Sequence, residues 1–195
     1  MLLEGIKIGY ALTGSFCTFS KTIPQIENLV KEGAEVIPII SQAVNDFDTR
    51  FGTAEDLKAK LTKITGKTPI STIVEAEPFG PKAILDILVI APCTGNTIAK
   101  IANAVTDSSV TMACKAHLRN GRPVVIAVST NDGLSANAKN IGILLNTKNV
   151  YMVPFGQDDP IKKCTSLVAD FDKILPTVVE ALKHKQIQPI LVHKN

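Results

Sequence analysis

The chain has 195 residues, a formal net charge of +3, and 45% hydrophobic and 20% charged residues, the composition of an ordinary globular protein. So small a charge argues against a nucleic-acid or anionic-membrane partner. The 5% aromatic content, with no Trp, argues against stacking platforms for single strands. A chain of this length buries roughly 70% of its unfolded surface, enough for a two-sided sheet core without disulfides or metal. Residues 1–195 are therefore expected to form one domain, with the last ~10 residues a tail.

In chain order, Ile6 to Leu12 (IKIGYAL) reads as a buried strand running into the turn Thr13-Gly14-Ser15. Ile23, Ile26, Leu29 and Val30 share one helical face, which Gly33 ends. Glu35 to Ile40 is a second strand, and Pro38 inside it points to an irregular or edge position. Thr53 with Asp56 starts a helix carrying Leu57, Leu61 and Ile64, and Gly66 ends it. Ile70 to Pro81 has no clear period.

Ile84 to Ala91 (ILDILVIA) is the clearest buried strand. A helix from about Thr97 turns Ile98, Ile101, Ala102 and Val105 inward, and another runs from about Ser108 to Leu118. Val124 to Val128 is a strand, Ser135 to Leu145 a helix and Val150 to Val153 a short strand. A last helix is expected to carry Leu167, Val168, Phe171, Ile174, Leu175, Val178, Val179 and Leu182, kinked or divided at Pro176. Ile187 to Asn195 is too short to classify. The alternation implies an α/β fold of three layers, doubly wound about a mainly parallel sheet.

The four cysteines, Cys17, Cys93, Cys114 and Cys164, form no C-x-x-C pair. His117, His184 and His193 make no ligand cluster with them, so no metal site is expected. Buried, reduced thiols of a cytosolic protein are the simpler reading. Lys183-His184-Lys185 reads as a solvated helix end. Glu4 stands too early for a secretory leader, and Ile84 to Pro92, which carries Asp86, is too short to span a membrane.

In such sheets ligands bind beyond the carboxyl ends of the strands. Three turns there are small and polar. Thr13-Gly14-Ser15 is neither a dinucleotide fingerprint nor a Walker loop; it reads either as a tight turn with a Ser cap or as an anion cradle. Cys93-Thr94-Gly95-Asn96-Thr97 offers donors at Thr94 and Asn96 and a helix cap at Thr97. Ser129-Thr130-Asn131-Asp132-Gly133 follows the next strand.

The segment from Asp86 to Asp107, DILVIAPCTGNTIAKIANAVTD, resembles the flavin-binding signature of the flavoprotein family. That family includes phosphopantothenoylcysteine decarboxylases, lantibiotic-processing cysteine decarboxylases and prenyl-flavin synthases. The resemblance runs from Ile6 to about Leu145 and implies a Rossmann-like flavoprotein fold and bound FMN. It implies that Thr13, Gly14 and Ser15 hold the phosphate. Ser41 falls where the family often has a hydroxyl near the flavin, and Pro92, Thr94 and Asn96 would line the ring and ribityl chain. Asn131 matches the Asn of the decarboxylases' P-x-M-N-x-x-M-W motif, where it binds a substrate carboxylate, and Asn137 also falls at a matching position.

The departures from the family pattern carry information too. The decarboxylase motif lacks its Pro, Met and Trp here, and the loop Asn45 to Gly52 (NDFDTRFG) has no basic His. Oxidative decarboxylation of a peptidyl cysteine is therefore not expected. Arg50 in that loop reads as a carboxylate clamp or as one half of a surface salt bridge with Asp46 or Asp48. A prenyl-flavin synthase is disfavoured by Ser129 and Thr130, where those relatives are basic.

GYALTGSFCTF, NDFDTRFG and VSTNDGLSANAKNIG are similar to one branch of the family. Its members are the flavoprotein-like halves of two-component oxidoreductases that convert dihydrodipicolinate to dipicolinate in spore-forming bacteria. This implies a dicarboxylate substrate, a partner (the A subunit) similar to NAD(P)-dependent dehydrogenases, a homo-oligomer, and a cytoplasmic place in the sporulating mother cell. An accessory subunit with a vestigial flavin pocket is the alternative. Asp132 and Asp48 are acid–base candidates by position only.

Overall fold

A computed structural model describes residues 1–192 of the chain. Five strands lie parallel in the order β2 (Glu35–Ile40), β1 (Lys7–Leu12), β3 (Ile87–Cys93), β4 (Val124–Thr130), β5 (Val150–Met152). β1 from Ile8 onward, β3 throughout, and β4 as far as Ser129 are buried, as expected of parallel strands covered on both faces. Gly9 sits at the centre, opposite Ile37 and Leu88. A Cβ there would come within 2.6 Å of Leu85 Cδ1, so that buried side-chain end would have to shift to admit one. Pro38 does lie on the edge strand β2, where its missing N–H costs the sheet least.

α1 (Phe19–Lys31) and α8 (Ile174–Ala181) pack together on one side of the sheet; α5 (Gly95–Ala102) and α6 (Ser109–Arg119) pack together on the other. α2 (Gln42–Asp46), α3 (Ala54–Thr65), α4 (Ile73–Ala76) and α7 (Ala138–Leu145) complete the helices. α3 begins and ends as its sequence predicts: Thr53 accepts from the Asp56 amide, and Gly66 closes the helix in the left-handed region at φ 69°. No helix of the described residues is long and apolar enough to cross a membrane.

The C-terminal half corrects the sequence reading. Leu167 and Val168 belong to a strand, β7 (Lys163–Ala169), that pairs antiparallel with β6 (Phe155–Asp159) and with the end of β4. Of the predicted helix, Phe171–Lys173 forms a 3-10 turn and Ile174–Ala181 the α-helix, and Pro176 sits in the first turn of the latter, where no intrahelical N–H bond is lost. Thr94, not Thr97, caps α5, and Val105 lies beyond that helix and is exposed. Cys17 and Cys164 are also exposed, while Cys93 and Cys114 are buried as expected. Burial pushes the Cys114 thiol up to about 12 and raises that of Cys93. Part of the tail is ordered along β6: Phe155 donates to the Ile190 carbonyl, and Val192 donates to the Phe155 carbonyl. His193 and the rest of the expected tail to Asn195 lie outside the described residues.

Candidate functional site

The chain leaves β1 for β2 on one side and then crosses to β3 on the other. The switch in strand order therefore falls between the carboxyl ends of β1 and β3, where a crevice is expected. A cleft of ≈ 930 Å³ opens there, within the usual range for small-molecule sites. It brings together six of the nine residues expected to bind cofactor or substrate, Gly14, Ser15, Arg50, Thr94, Asn96 and Asn131, and with them the acid–base candidate Asp132. Thr13, Ser41 and Pro92 do not line it.

Thr13 and Pro92 lie beneath the cleft and tie its two floor turns together. The buried Thr13 hydroxyl donates to the Pro92 carbonyl at 2.7 Å and accepts from the Thr94 amide at 2.9 Å. Its proton is thus already committed, so Thr13 positions the turn and offers no donor to a ligand. Above it the amides of Gly14, Phe16 and Cys17 have no acceptor among the described residues. Ser15 reaches across to Ser129 at the end of β4, Oγ to Oγ 2.8 Å.

Ser41 stands at the head of α2, close to this turn: a Cβ on Gly14 would lie 3.6 Å from that of Ala43. The Ser41 Oγ is buried without a partner among the described residues. A buried hydroxyl left so costs about 1–3 kcal/mol.

The third turn is braced from behind. Asp132 accepts from the Thr130 hydroxyl and, at 2.8 Å, from Asn137 Nδ2. Asn140 Nδ2 donates to Asn137 Oδ1 at 2.8 Å, and Asn103 Nδ2 donates to Asn140 Oδ1 at 3.2 Å. Asn137 is thus a buried member of a network joining the β4 turn to α5 and α7. The Asn131 side chain stays exposed, while its carbonyl accepts from Thr165 of β7.

Arg50 is exposed, with its guanidinium carbon 4.9 Å from the centre of the Phe51 ring. Neither Asp46 nor Asp48 pairs with it: Asp46 accepts from Asn45, and Asp48 accepts from the Ala54 amide at the head of α3. Sequence reasoning missed Lys21 of α1, the Phe16 and Phe51 rings, and the Asp158–Lys163 pair of the β6–β7 hairpin, bridged at 2.7 Å. Phe51 and the Asp158–Lys163 pair carry no local signal, because they reach the cleft only through long-range packing of the Arg50 loop and the hairpin; Phe16 and Lys21 follow the first turn, but no motif marks them.

The flavoprotein family model matches residues 2–183. This chain belongs to the flavoprotein family. It is 53% identical over 190 residues to the dipicolinate synthase B subunit of Bacillus subtilis strain 168, covering 97% of this chain and 95% of that protein. The crystal structure of the dipicolinate synthase B subunit from Bacillus halodurans superposes with a TM-score of 0.92 at 48% identity, covering 100% of both chains. An FMN-dependent cysteine decarboxylase superposes with a TM-score of 0.66 at 18% identity, covering 94% of this chain and 99% of that one; it shares the fold. The likeness to these dipicolinate synthase B subunits extends through sequence as well as fold.

Proposed function

We propose that this chain is the FMN-binding B subunit of a dipicolinate synthase. In this reading it works with a dehydrogenase-like A subunit carrying NAD(P), and the pair oxidises dihydrodipicolinate to dipicolinate in the cytoplasm of a sporulating mother cell. The observation that carries the reading is an unpaired Arg50 at a cleft whose floor offers open amides, in a chain 53% identical to a named dipicolinate synthase component. We further propose that the chain is one domain and that it acts as a homo-oligomer.

The residues present fit a flavin mononucleotide. The Gly14, Phe16 and Cys17 amides and the Ser15 hydroxyl would take the phosphate. Thr94 and Asn96 meet the ribityl chain and ring. When bound, the flavin supplies a ring that accepts a hydride. Arg50 holds a substrate carboxylate through paired N–H donors, its guanidinium steadied by the Phe51 face, and the Asn131 amide offers a further donor. Thr13 acts through Thr94 by fixing its amide. An accessory, non-catalytic role is the second reading. It is favoured by Asp132 and Asp48 both being engaged as hydrogen-bond acceptors, which leaves neither poised as a base.

Reconstitution with the dehydrogenase-like partner tests the proposal. Dipicolinate formation is expected to require both chains, and Arg50→Ala should lower kcat/KM by about 10–100-fold, the value of a charged hydrogen bond, with an unchanged circular dichroism spectrum. Full-rate formation by the dehydrogenase-like partner alone would contradict it.

A further inference from the structure

The cleft carries three cationic side chains from three separate elements: Lys21 of α1, Arg50 of the loop before α3, and Lys163 of β7. They are not equally available. Lys163 is committed to Asp158 across the hairpin at 2.7 Å, and that pair raises its pKa. Arg50 and Lys21 bridge to no carboxylate among the described residues.

The acidic groups nearby keep their charge but are held by hydrogen bonds to neutral donors and form no ion pair with Lys21 or Arg50. Asp132 accepts from Thr130 and Asn137. Lys21 also borders a shallower hollow with Asp170 and Asp172, but Asp170 accepts from the Asp172 amide and Asp172 accepts from Gln25. Of the cations on the cleft, Lys163 is thus held in an ion pair, while Arg50 and Lys21 are in none among the described residues and can each turn to a ligand. A rigid ring bearing one carboxylate would satisfy one of them; a ring bearing two would satisfy both.

We propose that Lys21 is the second carboxylate anchor of the cleft, acting with Arg50 to make the site selective for dianionic over monoanionic ring acids. The proposal rests on the dicarboxylate reading above and adds the residue that enforces it. Lysine suits this place: it is a point charge on a flexible stem, able to follow the far carboxylate once Arg50 has fixed the near one.

Calorimetric titration of the full chain, saturated with FMN, with dipicolinate, and with picolinate, which lacks one carboxylate, tests it. Lys21→Met is expected to weaken dipicolinate binding at least tenfold, in line with loss of a charge-assisted contact, and to leave picolinate binding within about twofold. Lys21→Arg should restore most of the dipicolinate affinity, which a general packing defect would not allow. Wild-type binding of dipicolinate with no loss in Lys21→Met, or with equal losses for both acids, would overturn the role of Lys21 alone. Absence of binding of either acid to the wild-type chain would overturn this role together with the dicarboxylate reading of the site.

Discussion

Gly95→Ala is expected to destabilise the protein by about 2–3 kcal/mol. Gly95 opens α5, and an added Cβ would fall 2.4 Å from Thr130 Oγ1, 2.6 Å from Asn137 Nδ2 and 2.7 Å from Asp132 Oδ1. Real Cβ atoms do not approach so closely, so something must move. The obstacles are short polar side chains bonded to one another through Asp132, and displacing one strands another without a partner. The helical gain of alanine over glycine is at most about 1 kcal/mol, and less at a first-turn position, so the clash decides the sign. For a chain of this size the melting temperature should fall by roughly 5–10 °C. The variant should also bind ligands at the Thr94 turn poorly, because the same displacement shifts that turn. An unchanged melting temperature would mean that the network yields freely and does not brace the site.

The second large effect is acid sensitivity centred on His117. This residue of α6 is 1% exposed, and its Nε2 has no partner among the described residues. Burial, and then the Arg122 guanidinium, lower its pKa to about 4; the backbone at Pro123 and Asp86 and the Asp86 carboxylate offset this in part. The folded protein thus keeps His117 neutral where the unfolded chain protonates it. Stability is full above the unfolded value near 6.5, falls as pH drops from there, and stops falling on this account below about 4. Integrated over that window the loss is about 3 kcal/mol. Glu35 and Glu75, whose pKa values Lys67 and the Ser71 and Thr72 donors respectively lower, lose their contribution only at more acid pH. Urea unfolding from pH 7 to pH 4 should show this slope, and His117→Gln should flatten it. A His117→Gln slope equal to that of the parent would show that His117 does not carry it.

The five parallel strands were readable because each is a short apolar run bounded by turn residues, and Pro38 even marked the edge. The β6–β7 hairpin was not. Leu167, Val168, Phe171 and Ile174 stand at helical spacing, and a short apolar run does not separate strand from helix by period alone. What decides it is pairing with the end of β4, at Ser129–Val168 and Thr130–Leu167, a long-range contact without a local signature.

The site follows the same division. That the turns after β1, β3 and β4 meet is a consequence of topology and could be read from the sequence. Which side chains face the cleft was not readable, since Thr13 and Pro92 point into the joint between two turns, and Lys21 and Lys163 enter from elements with no motif. Arg50 was legible as a charge in a family loop, but its freedom from Asp46 and Asp48 is a fact of three dimensions.

The flavin reading is tested most directly by the visible spectrum of the purified chain titrated with FMN, followed by anaerobic addition of dihydrodipicolinate. A bound-flavin spectrum is expected, saturating at one FMN per chain and bleaching when the substrate is added. A spectrum that remains that of free FMN at concentrations well above micromolar would contradict the reading, and the redox chemistry would then belong to the dehydrogenase-like partner.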